Sequence, residues 1–168
     1  MTTTQEAIDH KAIDHDAPFD KPLRAALSDI TYDEAMIALQ GAIAKAQQLD
    51  ISVCLAVTDT HGSLVAFARM DGARHMTQNI AVGRAKIAGY WGLPAKNMSA
   101  LAQRIAITDI DDFTNMGPSQ GGIPLYRDGE IIGGIGCSGG HGEGGLGLPD
   151  DEVARAGAKA LDDRLGAR

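Results

Sequence analysis

Apolar residues at Tyr32, Met36, Leu39, Ile43 and Ala46 form a stripe at helical spacing. Thr31 and Glu34 stand in front of it as a capping box, so a helix is expected to about Leu49. Ile51 to Thr58 reads as a buried strand, Asp59-Thr60-His61-Gly62 as a turn, and Ser63 to Met70 as the return strand. After the loop Asp71-Gly72-Ala73, a second helix is expected from about His75 to Tyr90. Ile80, Ile87 and Trp91 line one edge of it, and Ala81, Ala85 and Ala88 another. The small-residue edge would let the helix lie close to a sheet or another helix. Gly89 and Gly92-Leu93-Pro94 end it. A short helix near Asn97 to Arg104 follows, and Ile105 to Met116, acidic through Asp109, Asp111 and Asp112, fits no single period.

Two apolar runs then flank Arg127-Asp128-Gly129, a hairpin signal because glycine takes φ > 0 without penalty. The second run, Glu130 to Cys137, is rich in glycine and leads into Ser138-Gly139-Gly140. Glycine weakens a strand, and its usual reason there is close approach of something to the backbone. The last helix, a neighbouring subunit or a ligand is the expected visitor. A glycine-rich loop to Pro149 precedes a final helix, Asp150 to about Leu165, whose first turn carries Asp150, Asp151 and Glu152 in accord with the helix dipole.

Two hairpins with helices between them give an α+β fold, simplest as one antiparallel sheet with helices on its faces. Residues 1–27 differ from the rest. They hold the tandem Ala7-Ile8-Asp9-His10 and Ala12-Ile13-Asp14-His15, then Pro18 and Pro22. They read as an arm, flexible or draped on a neighbouring subunit, ahead of a single domain over 28–168. The Asp-His pairs admit a metal reading, but such tails seldom form sites, and no metal is assigned.

The 168 residues suffice for a core, and aromatic content of 4% means that it is built from Ala, Ile, Leu, Val and Met. A net charge of −7 argues against nucleic acid and anionic membranes as partners. No apolar run reaches the ~18 residues of a membrane span, and the polar start lacks signal-peptide character. A cytoplasmic protein with two buried thiols, Cys54 and Cys137, is expected; the sequence leaves a disulfide open.

Gly134-Ile135-Gly136-Cys137-Ser138-Gly139 formally matches G-x-G-x-x-G. More glycines follow it, no strand with a terminal acid comes next, and a dinucleotide site is rejected. Four segments carry a different likeness: Ala56-Val57-Thr58-Asp59 with Gly62 and Arg69 to Ala73; Ile80-Ala81-Val82-Gly83-Arg84-Ala85-Lys86; Gly121-Gly122-Ile123-Pro124 with Asp128 to Gly139; and Asp151-Glu152-Val153-Ala154-Arg155-Ala156-Gly157. Over roughly 30–165 the chain resembles the GlcG/HbpS family of haem-binding-like proteins, related to the C-terminal domain of PduO-type corrinoid adenosyltransferases. The resemblance implies a profilin-like three-layer α/β/α sandwich around a five-stranded antiparallel sheet. It also implies a homo-oligomer that binds a small molecule, with haem or a corrinoid as possible cofactor. The chain departs from the pattern at Arg84, where lysine is common, and in the longer loop 140–149.

His141 and Glu143 lie on that loop, and an imidazole and a carboxylate two residues apart can act on one point as base and acid. His75 is a third acid/base candidate or a haem ligand, against the plainer reading of a surface or capping group. Arg69 could clamp a carboxylate, against a salt bridge to Asp71 or Asp59. Tyr126, Gly121, Gly122 and Ser138 on the glycine hairpin are the other candidate ligand contacts. Arg84 and Lys86 point to different sides of their helix, one to solvent and one toward a pocket or a subunit. Cys137 reads as a small core residue. A small-ligand-binding protein is the first functional reading. The alternative is a cofactor-independent isomerase, hydratase or lyase acting on a small oxygenated metabolite.

Overall fold

A computed structural model describes residues 29–97, 119–140 and 148–166. Helix α1 spans Tyr32–Gln48. The capping box forms: Glu34 N–H donates to Thr31 Oγ1 (3.3 Å) and Thr31 N–H to Glu34 Oε2 (2.9 Å). Strands β1 (Cys54–Thr58) and β2 (Leu64–Arg69) make the first hairpin, and α2 covers Thr77–Trp91. Strands β3 (Gly122–Arg127) and β4 (Glu130–Ser138) make the second, and α3 is Leu148–Gly166. Asp128 and Gly129 turn the second hairpin with φ of 53° and 82°, as a tight hairpin turn requires.

The sheet is antiparallel throughout, in the order β2-β1-β4-β3. It has four strands among the described residues, where the resemblance implied five. The stretch 105–116 and all but Asn97 of the short helix expected at 97–104 lie outside those residues, as do the arm and the loop 141–147. No helix among the described residues is long and apolar enough to cross a membrane.

Pairing sorts the side chains onto two faces, because residues opposite each other in a ladder share a face. One row runs Gly122, Gly136, Ala56, Phe67, and the next Pro124, Gly134, Thr58. This face is almost bare, and α2 lies directly on it. A Cβ at Gly136 would strike the Ala81 carbonyl, and one at Gly134 the Gly89 amide and the Ala85 carbonyl. The visitor at Gly134 and Gly136 is therefore α2, while the last helix packs on the other face of the same hairpin. The opposite face carries Leu55, Val57, Leu125, Ile132 and Ile135, all buried beneath α1 and α3. Each such aliphatic side chain contributes about 1.5–3 kcal/mol by burial, and this is the main core. With α2 on one face and α1 and α3 on the other, the sandwich has three layers.

Candidate functional site

The residues singled out from the sequence fall into three places. The first is the end of β2. Arg69 sits opposite Cys54, which sits opposite Ser138, so the three share one row of the sheet. Arg69 Nη1 donates to His75 Nδ1 at 2.6 Å, and both side chains are exposed. Neither Asp59 nor Asp71 is its partner. The turn that carries His75 is tied down by Thr77, whose hydroxyl donates to the Arg74 carbonyl at 2.6 Å and lies 3.3 Å from Cys54 Sγ. Ser52 Oγ donates to the Asp71 carbonyl at 2.7 Å. Arg74 is exposed, and Met76 is 69% exposed. Two guanidinium groups, an imidazole and a thioether thus lie at the end of β2 and on the turn that follows it.

The second place lies at the root of the loop 141–147. Arg84, in the small-residue stretch of α2, is buried. Its Nη1 donates to Asp150 Oδ2 (2.7 Å) and to the Cys137 carbonyl (2.5 Å), and its Nη2 to Ser119 Oγ (2.7 Å). Gly140 N–H donates to Asp150 Oδ1 at 2.7 Å. Gly121 and Gly122 border this cluster and are buried, and Ser138, also buried, stays in the row of Cys54 and Arg69. A Cβ on Gly121 would meet Arg84 Nη1 and Asp150, and one on Gly122 the Arg84 carbonyl. Their surroundings are packed backbone and the ion pair rather than open space. Cys137 Sγ lies 3.8 Å from Asp150 Oδ1. Burial foremost, and then the Asp150 charge, push its thiol well above the usual value. Both cysteines are free and buried.

The third place is an open groove of about 520 Å³ between β3 and α3, lined by Ile123, Pro124, Tyr126, Arg155 and Lys159 among others. Tyr126 is 41% exposed, and its hydroxyl donates to the Gly92 carbonyl at 3.3 Å. Arg155 and Lys159 are each held by an acid four residues away, Asp151 and Asp163. His141 and Glu143, the other acid/base candidates, lie outside the described residues.

The structure thus joins Arg69 to His75, sets Gly121 and Gly122 against the Arg84–Asp150 pair, keeps Ser138 in the row of Cys54 and Arg69, and leaves Tyr126 apart. Sequence reasoning missed the Arg84–Asp150 pair. Its signal was an arginine among alanines and glycines, where a solvent-facing side chain and a buried one look alike. It also missed Arg127, whose Nη2 donates to Glu34 Oε2 at 2.5 Å and to the Asp29 carbonyl at 3.3 Å.

Comparison with known proteins adds to this geometry. A family model described as "Haem degrading protein HbpS-like" matches residues 30–159. Protein GlcG of Escherichia coli is 30% identical over 102 residues, 56% of this chain and 69% of GlcG. Corrinoid adenosyltransferase PduO of Salmonella typhimurium is 27% identical over 130 residues, 68% of this chain. The match spans only 35% of PduO, so the chain corresponds to about a third of that enzyme. A crystal structure of a PduOC:heme complex superposes with a TM-score of 0.65 at 27% identity, covering 79% of this chain and 94% of the other.

Proposed function

The chain belongs to the HbpS-like family, and on that premise we propose that it binds haem or a related planar tetrapyrrole. One observation carries the reading. A protein of this fold, 27% identical and matched over 94% of its length, was crystallised with haem. The turn at the end of β2 supplies the right kinds of group. His75 and Met76 are exposed donors of the two types that serve as axial ligands. Arg69 and Arg74 are exposed cations suited to propionates. In the free protein Arg69 donates to Nδ1, which leaves the proton of the neutral ring on Nε2, so this contact gives way when the imidazole binds iron. In this reading Arg69 and His75 are the ligand contacts, and the cofactor remains bound rather than turned over.

The chain does this as a homo-oligomer. Tyr90, Trp91 and Tyr126 are 64, 43 and 41% exposed, a costly display for a lone protomer and a normal one for a subunit contact. Titration of haemin into the pure protein is the test. The expected result is a sharp, saturating Soret shift with one haem per chain; a broad, non-saturating change would sink the reading. Cobalamin titrated in parallel decides between haem and a corrinoid. Light scattering tests the assembly, and a monomer at all concentrations overturns that part.

A further inference from the structure

We propose that Asp29, Asp59 and His61 form a site for a divalent transition-metal ion such as Zn²⁺ or Co²⁺, on the β1–β2 turn and remote in sequence from His75. One ligand atom from each of the three lies within 4.8 Å of those of the other two. They come from two chain segments, the turn after β1 and the residue three before α1, so neighbourhood in sequence does not explain the convergence.

The two carboxylates are arranged alike. Asp59 Oδ1 accepts from the His61 N–H (2.9 Å) and the Ser63 N–H (2.8 Å). Asp29 Oδ1 accepts from the Thr60 N–H (3.2 Å) and from the Thr60 hydroxyl. In each, one oxygen is held by protein donors, and among the described residues the other takes no hydrogen bond. Pinning one oxygen while leaving the other free is how outer-shell groups orient metal ligands. Asp29 is itself fixed. Arg127 donates to its carbonyl (3.3 Å), and the next residue, Ile30, donates its N–H to the Ile132 carbonyl (2.8 Å).

The imidazole decides the chemistry. His61 Nδ1 stands 3.5 Å from Asp29 Oδ2. That is beyond the ~2.7–3.2 Å of a good N–H···O bond. It matches the ~3.4 Å that separates two ligand atoms each about 2.1 Å from a tetrahedral zinc ion. The His61 side chain is 76% exposed, so its imidazole is open to an incoming ion. Two carboxylates and one imidazole favour a transition metal over Ca²⁺ or Mg²⁺, which take oxygen ligands. Water fills the remaining positions on this open side.

The test is calorimetric titration of Zn²⁺ and of Co²⁺ into the full chain without haem, with the visible spectrum of Co²⁺ as a second readout. His61→Ala and Asp29→Asn are compared with a His10→Ala/His15→Ala variant, which removes the arm imidazoles. Thermal melts of the metal-free variants check that each is folded. The proposal expects one saturable ion per chain in the wild type and in the arm variant. It expects affinity to fall about tenfold or more in His61→Ala and in Asp29→Asn. Absence of saturable binding overturns it. So does binding that survives both site substitutions, or that vanishes with the arm imidazoles.

Discussion

Arg84 on α2 and Asp150 at the start of α3 meet at 2.7 Å, with only 9 and 5% of their side chains exposed. The pair links the helix on the glycine face of the sheet to a helix of the opposite face, and it closes the root of the loop that carries His141 and Glu143. Removing one partner of a buried pair leaves the other charge without compensation. Arg84→Met or Asp150→Leu alone should cost about 3–5 kcal/mol, and the double substitution should recover much of that loss. Urea denaturation of the three variants measures it; equal losses in the singles and the double would refute the account.

Packing of α2 on bare strand backbone predicts a contrast between two glycines. Gly136→Ala drives a methyl into the Ala81 carbonyl, so α2 must shift, at a cost of about 1–3 kcal/mol or more. Gly129→Ala meets nothing within 4 Å and loses only the left-handed turn preference, about 1–2 kcal/mol. Thermal melts rank the two. In Gly136→Ala the near-ultraviolet signal of Tyr90 and Trp91, in contact with a centroid separation of 5.8 Å, should also change.

Acid should weaken the protein through Glu34. Burial raises its carboxyl pKa, but hydrogen bonds from Arg127 and from Thr31, with the Arg127 charge, outweigh this, and the net shift is downward from 4.5. A carboxylate with a depressed folded-state pKa stabilises the fold above its unfolded value. That stability is lost as pH falls below 4.5 through the folded value. Denaturant midpoints from pH 7 down to pH 3 should fall less steeply in Glu34→Gln than in the wild type.

The Cys137 thiol should resist modification. Its raised pKa keeps it protonated at neutral pH, and its burial keeps reagents out. Iodoacetamide at pH 8 should label neither cysteine in the folded protein and both in urea. The sign for stability is the reverse of that for Glu34: the contribution is present below 9.0 and declines as pH rises above it.

If His75 is the iron ligand, His75→Ala should abolish the sharp Soret band and Arg69→Ala should weaken haem binding while leaving the band position near that of the wild type. Both residues are exposed, so neither change should move the melting temperature by more than a degree or two. A wild-type spectrum in His75→Ala would place the ligand elsewhere while leaving haem binding itself standing.

Local elements were legible because their causes are local. The capping box Thr31–Glu34, the Asp128-Gly129 turn and the alanine edge of α2 are each written within a few residues, and each appears where the pattern puts it. Arg69 and His75 are six residues apart on one turn, so their meeting was within reach of the sequence, although the partner first expected for Arg69 was an aspartate. The pairs Arg84–Asp150 and Arg127–Glu34 were not. Their members stand 66 and 93 residues apart, and nothing local in the chain distinguishes them from solvated charges.

The sequence by itself determined the three long helices, the two hairpins, the glycine-bare strand and the family likeness, because period, turn chemistry and motif order are properties of neighbouring residues. Only the tertiary structure decided that α2 fills the glycine face, that Gly121 and Gly122 pack against a buried ion pair, and that Asp29 comes near Asp59 and His61. Those outcomes depend on which faces of distant elements meet. Strand register and the burial of charge settle that, and both belong to the assembled sheet rather than to any one segment.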